Sequence, residues 1–295
     1  MKVFYHHDLD GQCAAAIVFD YYKNNTKVDE TASIEFISIN HGQPFPWDSL
    51  ERNEIVYMLD FSLKINDMIK LDNLVNLVWI DHHITAINDF KKAEHEWEGS
   101  ITLKDGLAGC ELTWEYFYDD IIPDAIYYVG CYDVWRTEEY PTAEYAYYAL
   151  LSKDTNPKAP IWDIIINSAY DHGDEEILFM ESLLHDGETI VKYKNKYATE
   201  LCQEYAFDAK FEGLNAIVLN SGRPSSPLFQ SVYDPAKHDI MLAFCYNKKG
   251  KFTCSIYSTK DEIHCGEIAK KLGGGGHKGA AGFATDDIFK LLTRI

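Results

Sequence analysis

The sequence predicts an α/β protein: an N-terminal, mostly parallel sheet flanked by helices, a helical connector, and a smaller C-terminal α/β domain. Three observations lead there. Through residues 1–80 short apolar runs alternate with helical patterns, as they do when strands are joined by the helices that cover them. Residues 174–207 then keep their apolar positions at helical spacing. Beyond that stretch, strand patterns return, separated by loops rich in Gly, Ser and Pro.

Taken in order, strands are expected over 2–6, 33–39, 55–60 and 76–80, with helices near 11–23 and 64–71. Residues 108–118 and 124–132 read as helices, the second started by Pro123. Aromatic-rich helices follow over 143–151 and 161–168. Across 174–207 the apolar positions are Ile177, Met180, Leu183, Leu184, Ile190, Val191, Tyr197, Leu201 and Tyr205, and Gly187 predicts a break into two helices. The last part reads as strands 214–219, 240–246 and 252–257, a loop at 220–227, a turn at Lys248-Lys249-Gly250-Lys251, and a short helix near 265–272. The expected domains are therefore 1–173, a connector over 174–210, and 211–295.

Composition limits the function classes. With 295 residues, 46% of them apolar and 14% aromatic, the chain can bury sizeable cores, and disorder is excluded. No apolar stretch approaches the roughly 20 residues that span a bilayer. Met1-Lys2 leads straight into a strand, so a cytoplasmic protein without a membrane partner is expected. Cys13, Cys110, Cys131, Cys202, Cys245, Cys254 and Cys265 form no Cys-x-x-Cys pair, which fits buried free thiols in a reducing compartment. Net charge is −20 overall, but −23 over residues 1–210 and +3 over 211–295. Such an acidic body opposes long polyanions, whose binding rests on many Lys/Arg–phosphate contacts. A small phosphorylated ligand is compatible with it.

The chemistry concentrates where apolar runs stop. Leu77-Val78-Trp79-Ile80 delivers Asp81-His82-His83, Val3-Phe4-Tyr5 delivers His6-His7-Asp8-Leu9-Asp10-Gly11, and the run over 55–59 delivers Asp60. Strand ends are where α/β sheets bind ligands. If the chain stays extended beyond Tyr5, His6, Asp8 and Asp10 share one side, opposite His7 and Leu9. Asp133 follows an apolar segment that tolerates no unpaired carboxylate. Carboxylates mixed with neutral imidazoles suit a borderline divalent ion such as manganese. Near the end, Gly273-Gly274-Gly275-Gly276 bares backbone N–H groups that can cradle an anion, with His277 and Lys278 as further donors. His41 could reach the cleft from its rim; with His95, His172, His185, His238 and His264 it otherwise reads as a surface or capping histidine.

Together these motifs resemble the DHH phosphoesterase superfamily. His6-x-Asp8-x-Asp10-Gly11, Asp60, Asp81-His82-His83 and Asp133 are similar to its four motifs, in order. Residues 273–283 resemble the GGGH-x-x-AAG signature of the DHHA1 domain that follows, so the resemblance covers nearly the whole chain. It implies two divalent ions, usually Mn2+: one on His6, Asp8 and Asp60, the other on Asp10, Asp60, His82 and Asp133. It also implies catalytic roles for His83, facing the substrate phosphate, and for Asp81, orienting the histidines. Gly274, Gly275, Gly276 and His277 are the implied substrate-binding residues. One position departs from the pattern: many DHHA1 domains carry an Arg where Tyr257 stands. Tyr257 can stack on a base but has no permanent charge, and Arg223 in the nearby loop either compensates or is solvated.

The implied activity is hydrolysis of short oligonucleotides to mononucleotides by a metal-dependent phosphodiesterase or exonuclease, using water activated by two metals, as in the nano-RNase branch. Alternatives are a 3′-phosphoadenosine 5′-phosphate phosphatase, a cyclic or linear dinucleotide phosphodiesterase, and a nucleotide-binding module without turnover. A module of that kind predicts a lost ligand, yet every expected position is filled. The expected partner is a short oligonucleotide or nucleotide, long nucleic acid being disfavoured by the charge, and a homodimer is compatible.

Overall fold

The computed structural model describes residues 1–26, 33–118, 120–168, 174–222, 224–276 and 278–295. His172, Arg223 and His277 lie outside the described residues. The chain divides into two compact units, Met1–Val191 and Lys192–Ile295. Among the described residues, no helix is long and apolar enough to cross a membrane. All seven cysteines are free, and six are buried.

In the first unit the strands are β1 (Lys2–His6), β2 (Glu35–Ile39), β3 (Ile55–Leu59), β4 (Asn76–Asp81) and β5 (Ser100–Leu103). They form one all-parallel sheet in the order β2-β1-β3-β4-β5. Its helices are α1 (Leu9–Asn25), α2 (Ile65–Asp72), α3 (Ile84–Lys92), α4 (Gly109–Phe117), α5 (Asp124–Asp133), α6 (Thr142–Leu151) and α7 (Pro160–Asn167). The central strands are apolar throughout because helices cover both faces. Val3, Tyr5, Tyr57, Leu59 and Ile80 face α1, α4, α5 and α7. Phe4, Val56, Met58, Leu77 and Trp79 face Met68 and Leu71 of α2 and Ala86 of α3. The three consecutive alanines Ala14, Ala15 and Ala16 are fully buried, which lets α1 lie close against its neighbours. Gly11 continues that close fit, since a Cβ there would collide with the His6 carbonyl.

The strand order decides where a ligand can sit. The chain leaves β1 toward β2 on one side and resumes with β3 on the other. The carboxyl ends of β1 and β3 therefore flank the point at which the order reverses, where sheets of this kind open a crevice.

Two elements of this unit escape the sequence reading. Helix α3 buries only Ala86 and Ile87, and β5 is a four-residue, half-exposed strand without alternation. A third expectation is corrected: α8 (Asp174–Tyr205) is one continuous helix of 32 residues through Gly187. Gly187 does not break it, because the glycine serves contact instead. A Cβ at that position would run into the Tyr145 backbone carbonyl of α6.

The second unit contains β6 (Phe207–Phe211), β7 (Leu214–Asn220), β8 (Ile240–Tyr246), β9 (Phe252–Tyr257), α9 (Cys265–Lys271), β10 (Gly275–Gly276), β11 (Ala280–Thr285) and β12 (Leu292–Arg294). They make a seven-stranded sheet ordered β10-β11-β9-β8-β7-β6-β12. Only the β7–β8 pair is parallel. Strands β6 and β7 are joined by Glu212-Gly213, both at positive φ (50° and 82°), the backbone of a tight hairpin turn. Phe211, Val218, Leu242, Phe244 and Ile256 pack with Cys265 and Ala269 of α9. On the other face Ile217, Leu219, Met241 and Phe229 pack with Cys202 of α8.

The close approach at Gly187 gives a sign test. In an open helix Gly→Ala stabilises by about 1 kcal/mol; here Gly187→Ala is expected to destabilise by about 1–3 kcal/mol through overpacking. Urea unfolding of the two proteins measures the difference.

Candidate metal centre

Every strand that ends at the reversal point contributes a polar side chain. His6 closes β1, and the chain then turns at once into α1, with Asp8 as its N-cap accepting from the Gly11 amide at 3.1 Å. The chain does not stay extended through Asp10, so strand alternation is not what aligns these residues. Asp10 lies inside the first turn of α1 and is 1% exposed. It is aimed by the start of α4 instead, where the Gly109 and Cys110 amides each donate to its carboxylate at 2.7 Å. Gly109 is needed for this, since a Cβ there would stand 2.6 Å from the Asp60 Cβ.

Asp60 follows β3 with φ at 51°, a left-handed conformation that Asp tolerates better than most residues. Its amide donates to the Ile80 carbonyl at 2.9 Å. Asp81, the last residue of β4, is fully buried. Its Oδ1 accepts from the His82 amide (2.7 Å), the His83 amide (3.2 Å) and His83 Nδ1 (2.7 Å). Its Oδ2 accepts from Ser62 Oγ, which itself accepts from Trp79 Nε1 at 2.9 Å. Ser62 is therefore part of the site although nothing in the sequence singled it out, apart from its place two residues after Asp60. Asp133 arrives from the end of α5, with Oδ2 3.3 Å from His82 Nε2.

These placements create three overlapping groups whose ligand-type atoms lie within 4.8 Å of one another: His6, Asp8 and Asp60; Asp10, His82 and Asp133; and Asp60, Asp81, His82 and His83. His82 Nε2 lies 3.1 Å from Asp60, 3.3 Å from Asp133 and 3.8 Å from Asp10. His6 Nδ1 lies 2.6 Å from Asp8 and 3.5 Å from Asp60. Those contacts are close enough for charge pairing, yet His6 Nδ1 and Asp60 Oδ2, both buried, are not aligned as hydrogen-bond partners. Buried polar atoms of that kind carry a desolvation penalty unless something else satisfies them. A carboxylate and an imidazole nitrogen facing a shared space are the donors a divalent cation uses. The residues present thus fit a divalent ion, and Asp60 and His82 each belong to two groups.

The electrostatics agree. Burial pushes Asp10 and Asp60 well above the usual carboxylate range, and neighbouring carboxylates, Asp60 beside Asp10 and Asp8 beside Asp60, add to it. Asp133 is pushed up to about 7 by burial and by the charge on Asp10. Burial alone would lower His6, but Asp60 and Asp8 outweigh it and hold the imidazole at about 10. The Asp81 hydrogen bond raises His83 to about 9. Asp81 itself is lowered despite burial, chiefly by His83. Without a cation, protons neutralise this cluster, so an incoming ion has to displace them.

The remaining histidines separate clearly. His7 turns away to Ser38 Oγ at 2.8 Å. His41 does reach the rim, its ring 5.7 Å from that of His6 and 4.9 Å from that of Phe61. His95 pairs with buried Asp72, His238 with Asp208, and His264 caps α9.

In the second unit the glycine run forms the sheet edge. A Cβ on Gly274 would collide with the Gly282 carbonyl, and one on Gly276, at φ 146°, would stand 2.5 Å from Ala281. Gly275 and Gly276 are exposed and paired with Gly282 and Ala281. Tyr257 is half-buried, its hydroxyl donating to the Pro224 carbonyl at 2.8 Å.

No family model matches the chain. An uncharacterized protein of Acanthamoeba polyphaga mimivirus is 27% identical, over 97% of this chain and 68% of its own length. Among solved structures, the DHH domain of a member of the s1p family of ribosomal proteins is similar at a TM-score of 0.63 and 14% identity, covering 98% of this chain and 83% of that one. RecJ from Thermus thermophilus, in complex with Mn2+, is similar at a TM-score of 0.50 and 14% identity, over 98% of this chain and 50% of that one. The chain shares its fold with these structures, a DHH domain among them.

The Asp81–His83 pair gives a testable sign. In EDTA-treated protein, Asp81→Asn is expected to bring the His83 pKa from about 9 down to its ordinary 6.5 or below, read from the imidazole NMR shifts. Because the folded value is raised, the stability it supplies is complete below pH 6.5 and is lost as pH rises through about 9. The variant is expected to flatten that part of the stability profile.

Proposed function

We propose that this chain is a metal-dependent phosphodiesterase that hydrolyses short oligonucleotides to mononucleotides. Two divalent ions are held, one by His6, Asp8 and Asp60 and the other by Asp10, Asp60, His82 and Asp133. The observation that carries this reading is the overlap of donor groups through Asp60 and His82 at the reversal point of the sheet. Manganese is the preferred ion: it suits mixed carboxylate and imidazole donors, and the similar RecJ structure is a complex with Mn2+. Bound in such a pair of sites, divalent ions lower the pKa of a water and neutralise charge on the attacking and leaving oxygens.

The protein's own groups supply the rest. His83, held by Asp81 through Nδ1 at 2.7 Å, offers its other ring nitrogen to a phosphoryl or leaving-group oxygen. Asp81 spends all its acceptor capacity on orientation, through Ser62 and both histidines. The second unit is proposed as a DHHA1-type domain that binds substrate through Gly274, Gly275, Gly276 and His277, with Arg223 as an added cation. The net charge of +3 over residues 211–295, against −23 for residues 1–210, supports a short ligand over a long polyanion.

Incubation with Mn2+ or EDTA against labelled dinucleotides, a longer oligomer, cyclic dinucleotides and 3′-phosphoadenosine 5′-phosphate tests the reading. Manganese-dependent release of mononucleotides, fastest from the shortest oligomers, is expected. Binding without release under any divalent ion would replace it with a nucleotide-binding module. Titration calorimetry gives a second test: Asp60→Asn is expected to weaken both Mn2+ sites by more than the roughly 10- to 100-fold typical of losing an outer partner, whereas Asp133→Asn weakens one.

A further inference from the structure

Trp135 stands two residues beyond Asp133 and has a conformation that folding alone does not call for. The residue is 71% exposed. Its backbone lies at φ 61°, ψ 30°, the left-handed turn in which chains leaving a helix usually place glycine or asparagine. The flanking residues hold it there. The Trp135 amide donates to the Tyr132 carbonyl at 3.3 Å. On the other side Arg136 donates to buried Glu111 at 2.5 Å and lies over the Tyr127 ring at 5.2 Å. Glu111 is fixed in turn by the Ala108 amide at 2.9 Å. A left-handed non-glycine residue persists where its surroundings over-determine it, and such residues cluster at functional sites.

A ring needed for the core would be buried, and a helix stop would use glycine. The Trp135 ring instead continues a series of near-parallel aromatics. It lies 25° from the plane of Tyr132 with centroids 6.5 Å apart, and Tyr147 stacks on Tyr132 at 3.9 Å and 21°. At its inner end the series stands beside the carboxylate cluster, because Tyr132 directly precedes Asp133, whose Oδ2 lies 3.3 Å from His82 Nε2. Aromatic faces therefore run from the helix turn that carries Asp133 to an exposed indole.

We propose that Trp135 is the platform on which the base of the bound nucleotide stacks, which makes the site selective for phosphodiesters carrying an aromatic base over base-free phosphoesters. The inference rests on the hydrolytic reading above and adds its specificity element. Stacking tolerates every base, because each has a π-face. It also adds affinity that does not depend on opposite charge.

Two variants test it. Trp135→Gly removes the ring and relieves the left-handed backbone, so its Tm is expected at or above that of the parent. Trp135→Phe keeps a flat face. With Mn2+, kcat/KM is compared for a dinucleotide and for an abasic dinucleotide of the same backbone. Trp135→Gly is expected to lower the ratio of the two efficiencies roughly tenfold or more, mostly through KM, and Trp135→Phe to restore most of it. An unchanged ratio overturns the proposal, as does an equal loss on both substrates. If the parent protein cleaves no oligonucleotide, the hydrolytic reading fails by itself, and calorimetry with AMP decides the platform. AMP binding roughly tenfold weaker in Trp135→Gly supports it; equal binding overturns it.

Discussion

The rest of the first unit is organised around a crowd of buried carboxylates. Asp10, Asp60 and Asp81 are at most 1% exposed, and Asp8 and Asp133 stand beside them. Among the described residues, their ion-pair partners are imidazoles, not lysine or arginine. An isolated buried carboxylate is costly enough that it takes up a proton instead of staying charged. Asp10, Asp60 and Asp133 follow that rule, whereas Asp81 escapes it by accepting four hydrogen bonds. The cluster can be relieved by protons or by cations, and its donor types favour divalent ions.

Holding such a crowd together requires removal of bulk at specific points. Gly109 lets α4 approach Asp60 closely enough to give two amides to Asp10. Gly130 lets α5 lie against Glu111, whose side chain would otherwise meet a Cβ at 2.5 Å. Glu111 then anchors Arg136, just beyond Asp133. The helix start at Asp10 adds the favourable field of aligned peptide dipoles to its direct hydrogen bonds. Each side chain of the candidate centre is thus aimed by backbone packing, and the sheet supplies only the point where the segments meet.

This explains what was legible in the sequence. The central strands β1, β3 and β4 stood out because burial on both faces makes them mostly apolar, and the polar residues that end them stood out by contrast. Strand β5, helix α3 and the edge strands of the second sheet carry little buried surface and leave no such pattern. Hairpin strand β6 was missed because Glu212-Gly213 was not read as a turn, although both residues adopt positive φ. Alternation gave the wrong geometry for Asp8 and Asp10, since the helix begins at Leu9. Gly187 was misread for a related reason: local propensity penalises glycine in a helix, while a tertiary contact with Tyr145 demands it. Ser62 and the Glu111–Arg136 pair depend on contacts distant in sequence and had no local signal.

The backbone carries a last trace of the same organisation. Among the described residues, four that are not glycine have positive φ: Asn53, Asp60, Trp135 and Glu212. Glu212 sits in a hairpin turn and Asn53 in a turn before β3, positions where chain reversal requires such angles. Asp60 takes the angle directly after a strand, and Trp135 takes it at a helix end, a position usually given to glycine or asparagine. One turns a carboxylate inward between β3 and β4; the other ends the helix that brings Asp133 to His82. Strain of about 1–3 kcal/mol at each such residue is tolerated because buried contacts on both sides fix the chain, through the Ile80 carbonyl for Asp60 and through Arg136 and Glu111 for Trp135. At Asp60 the strained backbone and the carboxylate that two donor groups share are therefore one feature.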